Sequence, residues 1–121
     1  MAKLYVVGTP IGNLGDITFR AIETLKSVDY IAAEDTRHTL QLLNHFEIKK
    51  PMVIYQKFNE NEQGEAIVSR LAAGESCAIV TDAGMPCISD PGETLVKLCI
   101  AAGIPVEVVP GPSAVISARS S

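Results

Sequence analysis

The sequence predicts an α/β domain whose five-stranded, mostly parallel sheet carries helices on both faces. Three observations lead to this fold class. Short apolar runs alternate with segments of helical spacing five times along the chain, and glycine or proline lies between many of these segments. The chain has 121 residues, of which 47% are hydrophobic and 20% charged, so it is long and apolar enough for one domain with a core.

The first half of the chain is predicted to hold three strands and two helices. The strands are residues 4–7, 29–33 and 51–55, and the helices are residues 18–28 and 35–46. Thr18 can cap the first helix, and Asp35 or Thr36 can cap the second, because their side-chain oxygens accept hydrogen bonds from free helix amides. The predicted apolar faces are Ala21, Ile22 and Leu25 on the first helix and Leu40, Leu43 and Phe46 on the second.

The second half continues the alternation. A helix at residues 63–73, a strand at 76–80, a helix at 93–102 and a strand at 106–109 follow in order. Gly74 and Gly103 directly follow the two helices, and glycine is the residue that most often ends a helix. A last helix is predicted to open at Pro110-Gly111-Pro112-Ser113.

Charge and cysteine content exclude several classes of protein. The net charge of −4 has the wrong sign for a chain that holds nucleic acid through its own surface. No apolar run approaches the roughly 20 residues of a membrane span, and no signal peptide is present, so we expect a cytoplasmic protein that does not enter a membrane. The three cysteines form no CxxC pair and neither histidine lies at ligand spacing from them, which predicts buried thiols and no metal site.

Four of the five predicted strands end in unusual sequence. The four stretches are residues 8–13, 34–37, 81–92 and 110–113. The carboxyl ends of parallel strands lie along one edge of the sheet, called here the carboxyl edge, and open α/β sheets bind their ligands there. The stretch 81–92 is about twice as long as an ordinary connection. Gly84 lets a ligand approach the backbone and Pro86 fixes the shape of the loop, so we predict a ligand site on this edge.

The loops do not match the usual phosphate-binding patterns. In a dinucleotide fingerprint the three glycine positions would fall on Gly8, Pro10 and Asn13, and proline has no N–H to donate. The lysine of a P-loop is also missing. The carboxyl edge carries the acidic residues Glu34, Asp35, Asp82 and Asp90. These features favour a ligand with a positive centre or with hydroxyl groups.

Four segments of the chain resemble the tetrapyrrole methylase superfamily. They are residues 7–18, 33–39, 82–92 and 109–114, and the similarity extends from Leu4 to about Ala118. Within the superfamily, Gly-Thr-Pro-Ile-Gly-Asn at 8–13 and Glu-Asp-Thr-Arg at 34–37 resemble the ribosomal RNA small subunit methyltransferase I branch. The resemblance implies an S-adenosyl-L-methionine-dependent methyltransferase with two α/β domains and the cofactor between them. This chain would be the N-terminal domain of that longer protein.

The resemblance also implies a substrate and a set of site residues. The branch methylates the ribose 2′-oxygen of one cytidine in 16S rRNA, so the partner would be the small ribosomal subunit, and the full-length protein would be a homodimer. The implied cofactor-binding residues are Pro10, Asp82, Ala83, Gly84, Met85, Pro86, Ile88, Pro110, Gly111, Pro112 and Ser113. The implied substrate-binding residues are Ile11, Gly12, Asn13 and Asn59. The candidate catalytic residues are Glu34, Asp35, Arg37 and His38.

Two roles stay open at this stage. A ribose hydroxyl is a poor nucleophile that gains from a general base, and Glu34, Asp35 and His38 are the candidates. Arg37 can hold a phosphate or form an ion pair with Asp35 or Glu34. By contrast, Glu60, Glu62 and Glu65 are expected to form a solvated acidic helix start without a function of their own.

The sequence departs from the branch in one internal segment. Members usually have a histidine-containing stretch before Asn-Glu, whereas this chain has Gln56-Lys57-Phe58 before Asn59-Glu60.

Two other functions are alternatives to rRNA methylation. One is C-methylation of a tetrapyrrole, which shares the cofactor. The other is ligand binding without catalysis, which is the expectation if the natural chain ends at Ser121.

Overall fold

The computed structural model describes residues 2–9, 15, 17–81 and 92–109 of the chain. The described residues contain five strands, which are β1 (Leu4–Gly8), β2 (Tyr30–Ala33), β3 (Met52–Ile54), β4 (Cys77–Thr81) and β5 (Val106–Val109). They form one sheet in the order β3-β2-β4-β1-β5, and every neighbouring pair is parallel. The predicted fold class is confirmed, and the sheet is parallel throughout.

Helices cover both faces of the sheet. They are α1 (Phe19–Ser27), α2 (Thr36–His45), α3 (Glu60–Ala72) and α4 (Gly92–Ala101), and a short 3₁₀ turn, Lys57–Asn59, precedes α3. Leu25 of α1 and Leu42 of α2 are buried in one core cluster, and Ile67 of α3 and Leu95 of α4 are buried in the other. A parallel sheet that is covered on both faces needs apolar side chains on both, which explains the continuous apolar runs of the strands.

The two predicted N-caps are present. The Oγ1 atom of Thr18 accepts from the Ala21 amide at 3.1 Å. The Oδ1 atom of Asp35 accepts from the Arg37 amide at 3.0 Å and from the His38 amide at 3.1 Å. Asp35, rather than Thr36, is therefore the cap of α2.

Three helices end in the same hydrogen-bonded motif. The residue after the C-cap has a positive φ in each, with Gly74 at 105° after α3, Gly103 at 75° after α4 and Glu47 at 56° after α2. The next amide along the chain then donates to a carbonyl one turn back. These bonds are Glu75 to Arg70 at 2.9 Å, Ile104 to Cys99 at 2.9 Å and Ile48 to Leu43 at 2.8 Å. This is the Schellman arrangement, and glycine occupies its left-handed position in two of the three helices.

Two sequence expectations were wrong in detail. Leu40 is 47% exposed, and the buried residues of α2 are Thr39, Leu42 and Leu43. The buried face of α2 is thus rotated around the helix axis relative to the predicted face, and it includes Thr39. In addition, α3 begins at Glu60 and not at Gln63, because the 3₁₀ turn before it leads directly into the helix.

Two of the three cysteines lie in the described part of the chain, and both are buried free thiols. Burial raises the pKa of Cys77 to about 12 and that of Cys99 to about 11. Both thiols therefore stay protonated near neutral pH and act as small apolar side chains, as predicted. Cys87 lies outside the described residues. Across the described ranges, no helix is both long and apolar enough to cross a membrane.

Candidate functional site

The sheet order divides the candidate residues between two parts of the carboxyl edge. Along this edge the strands end at Ile54, Ala33, Thr81, Gly8 and Val109. The catalytic candidates follow β2, and Asn59 follows its neighbour β3. The segments implied to bind the cofactor follow β4, β1 and β5, which are also adjacent strands.

Most of the implied binding residues lie outside the described residues. They are Pro10, Ile11, Gly12, Asn13, Asp82, Ala83, Gly84, Met85, Pro86, Ile88, Pro110, Gly111, Pro112 and Ser113. Their roles, and the helix expected after Val109, stay predictions. The described strands establish only that these segments connect to the same edge of the sheet.

The connections after β1 and β4 lead to opposite faces of the sheet. β1 is followed by α1, which packs on the face that also holds Val7 and Val80. β4 is followed by α4, which packs on the face that holds Val6 and Ile79. The two strands are neighbours, and open α/β sheets bind their ligands where the connections from adjacent strands pass to opposite faces. This position matches the expected location of a ligand in an open α/β sheet.

The Glu34–His38 segment lies at the end of β2. Glu34 and Arg37 are exposed, and Arg37 forms no ion pair with any residue of the described ranges. One oxygen of Asp35 is occupied by the two amides that it caps. The Nε2 atom of His38 is buried and has no hydrogen-bond partner among the described residues. In the described part of the chain, the side chain of Glu34 is thus exposed and the Nε2 atom of His38 has no partner, so both stay candidates for the base.

The chain between β3 and α3, called here the β3–α3 turn (residues 55–59), is fixed by side-chain amides. The Asn59 Oδ1 atom accepts from the Gln56 amide at 2.7 Å, and the Asn59 Nδ2 atom donates to the Ile54 carbonyl at 3.1 Å. Gln63 Nε2 donates to the same carbonyl at 3.0 Å. Both polar atoms of Asn59 therefore hold the turn, while its contact with substrate stays a prediction.

A further hydrogen bond joins the β3–α3 turn to the catalytic candidates. The Nε2 atom of Gln56 donates to the backbone carbonyl of Glu34 at 2.8 Å. The Tyr55 amide donates to the Ala33 carbonyl at 2.9 Å. The ends of β2 and β3 are thus connected by hydrogen bonds, and Glu34 belongs to this connected unit.

Glu60 is a residue of this edge that the sequence did not indicate. Its Oε2 atom is buried and has no hydrogen-bond partner in the described part of the chain. A buried polar atom without a partner is unfavourable, so native proteins seldom keep one without a reason. Glu60 as a whole is half-buried, and Glu62 and Glu65 are exposed, so the expectation of a solvated helix start is wrong only for this oxygen. The end of β3 lacks the glycine and proline that mark residues 8–13, 81–92 and 110–113, and it also lacks the acidic pair that follows β2.

The described residues of the edge fit a cationic or hydroxyl-bearing ligand better than a metal ion. Glu34 and Asp35 give the edge carboxylates, and Glu60 adds an acceptor oxygen without a donor. Within residues 2–9, 15, 17–81 and 92–109, no group of three histidine, cysteine or acidic side chains is placed to hold a metal.

Comparison with known proteins identifies the family. The model of the Tetrapyrrole (Corrin/Porphyrin) Methylases matches residues 3–121. The chain belongs to the tetrapyrrole methylase family. The predicted family membership is thereby confirmed over nearly the whole chain.

Two curated tetrapyrrole methylase relatives share more than half of their aligned residues with this chain. Both are named Ribosomal RNA small subunit methyltransferase I. The protein of Thermotoga maritima is 55% identical over 118 residues, which are 98% of this chain and 53% of that protein. The protein of Xylella fastidiosa is 56% identical over 117 residues, which are 97% of this chain and 43% of that protein. The chain thus spans about half the length of these relatives.

A solved structure shares the fold of this tetrapyrrole methylase chain. It is the uroporphyrin-III C-methyl transferase of Thermus thermophilus complexed with S-adenosyl homocysteine. The TM-score is 0.69 at 23% identity, over 91% of this chain and 45% of that one. At this level of identity the likeness establishes the fold alone.

Proposed function

We propose that the protein, at its natural length, is an S-adenosyl-L-methionine-dependent methyltransferase that modifies small-subunit ribosomal RNA. The observation that carries this proposal is the identity of more than 50% to relatives named Ribosomal RNA small subunit methyltransferase I. The finer assignment, methylation of a cytidine 2′-oxygen in 16S rRNA, follows from the resemblance of residues 8–13 and 34–37 to that branch. The substrate is then the small ribosomal subunit, which is cytoplasmic, and the resemblance further suggests a homodimer.

The cofactor would occupy the segments that follow β4, β1 and β5. Residues 82–88 and 110–113, together with Pro10, are proposed to line it, and Ile11, Gly12 and Asn13 are proposed to face the substrate. When bound, S-adenosylmethionine supplies a methyl group on a sulfonium sulfur, and that sulfur keeps the electron pair of the bond that breaks. The protein has to align the acceptor oxygen with the methyl carbon, and such alignment can supply a large part of the rate acceleration.

Glu34 is the proposed general base. Its carboxylate is exposed at the end of β2, and the hydrogen bond from Gln56 to its backbone carbonyl fixes its position. The ribose hydroxyl would lose its proton to Glu34 as its oxygen bonds to carbon. Arg37, exposed one turn along and without an ion pair in the described part of the chain, is proposed to hold a phosphate of the RNA. His38 is the second candidate for the base.

The first experiment offers methyl-labelled S-adenosylmethionine and two acceptors to the protein at its natural length. One acceptor is small ribosomal subunits that lack the modification, and the other is a uroporphyrinogen-type tetrapyrrole. We expect label in the rRNA, mapped to a ribose. Label in the tetrapyrrole alone would replace the proposed substrate, and binding of the cofactor without any transfer would favour the non-catalytic alternative.

Substitutions at the end of β2 test the assignment of the base. We expect Glu34→Gln to lower kcat by roughly a hundredfold or more while the Kd for S-adenosylmethionine stays the same, because general bases contribute about 10²–10⁴ in rate. Arg37→Ala should instead raise KM for the ribosomal subunit. A full rate in Glu34→Gln together with a large loss in His38→Gln would transfer the role of base to His38.

A further inference from the structure

Phe58 is the most exposed of the large hydrophobic side chains in the described part of the chain. It belongs to the 3₁₀ turn between β3 and α3, and its side chain is 79% exposed. A single exposed apolar residue is common on protein surfaces and needs no explanation by itself. Three properties of its surroundings set Phe58 apart from such a residue.

The first property is rigidity. Phe58 lies between Gln56 and Asn59, whose mutual hydrogen bonds close the turn at 2.7 Å and 3.1 Å. Asn59 and Gln63 both donate to the Ile54 carbonyl, which fixes the turn to the end of β3. An aromatic ring on a turn that is ordered in advance loses little conformational entropy when it binds a flat ligand.

The second property is an acceptor atom without a donor. Glu60 lies two residues after Phe58, and its buried Oε2 atom has no partner within the described ranges. The Glu60 side chain as a whole is only half-buried, so a rotation of the carboxylate brings the unpaired oxygen to the surface, where an amino or hydroxyl group of a ligand can donate to it. This observation is independent of the exposure of Phe58, and it also points to a ligand.

The third property is continuity with the proposed catalytic segment. Gln56 donates to the Glu34 carbonyl at 2.8 Å, so the β3–α3 turn and the proposed base belong to one hydrogen-bonded unit. A group that contacts Phe58 therefore binds to a turn that is hydrogen-bonded to the backbone of the proposed base.

We propose that the β3–α3 turn binds a nucleotide of the RNA substrate. The Phe58 ring stacks on a nucleobase, and the half-buried carboxylate of Glu60 accepts a hydrogen bond from an amino or hydroxyl group of that nucleotide or its neighbour. Sequence-specific recognition of single-stranded RNA commonly combines aromatic stacking with hydrogen bonds to base edges. The inference rests on the proposed function, because it assigns the residues that hold the rRNA.

Phe19 provides a matched control. Its ring is 76% exposed, close to the value for Phe58, and it begins α1. The next residue, Arg20, forms an ion pair with Glu107, which lies opposite Tyr5 in the middle of β1. Phe19 is therefore an exposed phenylalanine on the side of the sheet where β5 is the edge strand, and it is not in the β3–α3 turn.

The test uses the protein at its natural length and measures kcat and KM for small ribosomal subunits and for S-adenosylmethionine. We expect Phe58→Ala to raise KM for the subunits roughly tenfold, which is the size expected for one stacked base, and to leave KM for the cofactor unchanged. Phe58→Trp keeps a stacking surface and should stay near the unaltered protein. Phe19→Ala should change neither constant, and none of the three should lower the melting temperature, because both rings are exposed.

Substitution of Glu60 distinguishes a role in RNA binding from a role in the stability of the fold. Glu60→Ala removes the buried oxygen that lacks a partner, so we expect a melting temperature that is equal or higher, together with a higher KM for the subunits. A residue that only supported the fold would instead lower the melting temperature and leave KM unchanged.

The outcomes distinguish this inference from the proposed function. If the unaltered protein methylates the subunits and Phe58→Ala behaves as Phe19→Ala does, the inference is wrong and the proposed function stands. If Phe58→Ala changes self-association in sedimentation while KM stays the same, Phe58 belongs to a protein interface and the inference is also wrong. If the unaltered protein neither binds nor methylates the subunits, both fail.

Discussion

Asp35 caps a helix and is also a candidate catalytic residue. Its Oδ1 atom caps α2 by accepting from the amides of Arg37 and His38. Because one oxygen is occupied, Asp35 is a weaker candidate for the base than Glu34. The cap also sets the first turn of α2, and it thereby holds Arg37 and His38 at the carboxyl edge.

Substitutions of Asp35 separate its role as a helix cap from its candidate role in catalysis. Asp35→Ala should lower the free energy of unfolding by about 1 kcal/mol, and Asp35→Asn should keep most of it, because asparagine also caps helices well. Chemical denaturation measures both values. If Asp35→Asn is as stable as the unaltered protein and also keeps its methyl-transfer rate, Asp35 acts only as a cap. If Asp35→Asn is stable and loses the rate, the carboxylate takes part in the chemistry.

At the scale of single residues, a polar side chain can be assigned to the candidate site from the sequence only when it lies in a recognised pattern. Glu34, Asp35 and Arg37 follow a short apolar strand and precede a helix, so their place at the carboxyl edge can be predicted. Glu60 belongs to an acidic helix start, which is an ordinary pattern on exposed surfaces. Its buried oxygen depends on how the β3–α3 turn packs, and no local pattern encodes that packing.

The ends of the helices show how one motif tolerates different residues. Gly74 and Gly103 occupy the left-handed position after α3 and α4, whereas Glu47 occupies it after α2 with a φ of 56°. An L-residue with a side chain is less stable there, by about 1–2 kcal/mol, because its Cβ atom approaches the following carbonyl oxygen. The end of α2 is therefore a place where the backbone is strained.

We expect Glu47→Gly to raise the free energy of unfolding by about 0.5–1 kcal/mol, since glycine removes the steric strain but loses more entropy on folding. Gly74→Ala is the converse variant and should lower stability by about 1 kcal/mol. A methyl group at Gly74 would have no heavy atom within 4 Å, so this loss would come from the backbone alone. Urea unfolding measures the stability of both variants. Equal unfolding midpoints for Glu47→Gly and the unaltered protein would contradict the assignment of backbone strain at Glu47.

Element boundaries were predictable where a local signal exists. Thr18 marks the start of α1, Gly74 and Gly103 mark the ends of α3 and α4, and the predicted limits of β5 match the observed ones. The start of α3 was missed because side-chain amides that donate to the carbonyl of Ile54 order the 3₁₀ turn before the helix, and no familiar sequence pattern marks such a turn. The buried face of α2 was misplaced because a threonine, Thr39, packs where an apolar residue was expected.

At the scale of the whole molecule, one ion-pair network joins three elements. The carboxylate of Glu107 on β5 pairs with Lys3 at 3.0 Å, just before β1, and with Arg20 on α1. The hydrogen bonds from Lys3 and Arg20 hold the pKa of Glu107 below its usual value of about 4.5. Because these groups are exposed, the network makes a small contribution to stability that salt weakens.

The lowered pKa determines how this contribution depends on pH. It is fully present above the usual pKa of a glutamate and is lost as the pH falls through the lower folded-state value. We therefore expect Glu107→Gln to have a lower melting temperature than the unaltered protein at pH 7, and the difference should shrink as the pH falls below about 4. A difference that grew on acidification would contradict this account.

The order of the strands is the part of the fold that the sequence did not provide. Apolar alternation predicts a parallel sheet with helices on both faces, and both features are present. It does not say that β4 inserts between β2 and β1, because all five strands carry similar short apolar runs. The separation of the proposed cofactor segments from the proposed catalytic segment is a consequence of that order.

The same order has a consequence for the chain as it leaves the ribosome. β1 has both of its partners much later in the chain, with Leu4 paired to Cys77 on one side and to Val106 on the other. Among the described strands, β2 and β3 form the one pair that is able to assemble before β4 emerges. β1 therefore stays an unpaired apolar segment until β4 is available, and its capture closes the sheet and slows folding. A protein proposed to act on the ribosome would thus depend, in its own synthesis, on whatever shields β1 near the exit of the tunnel.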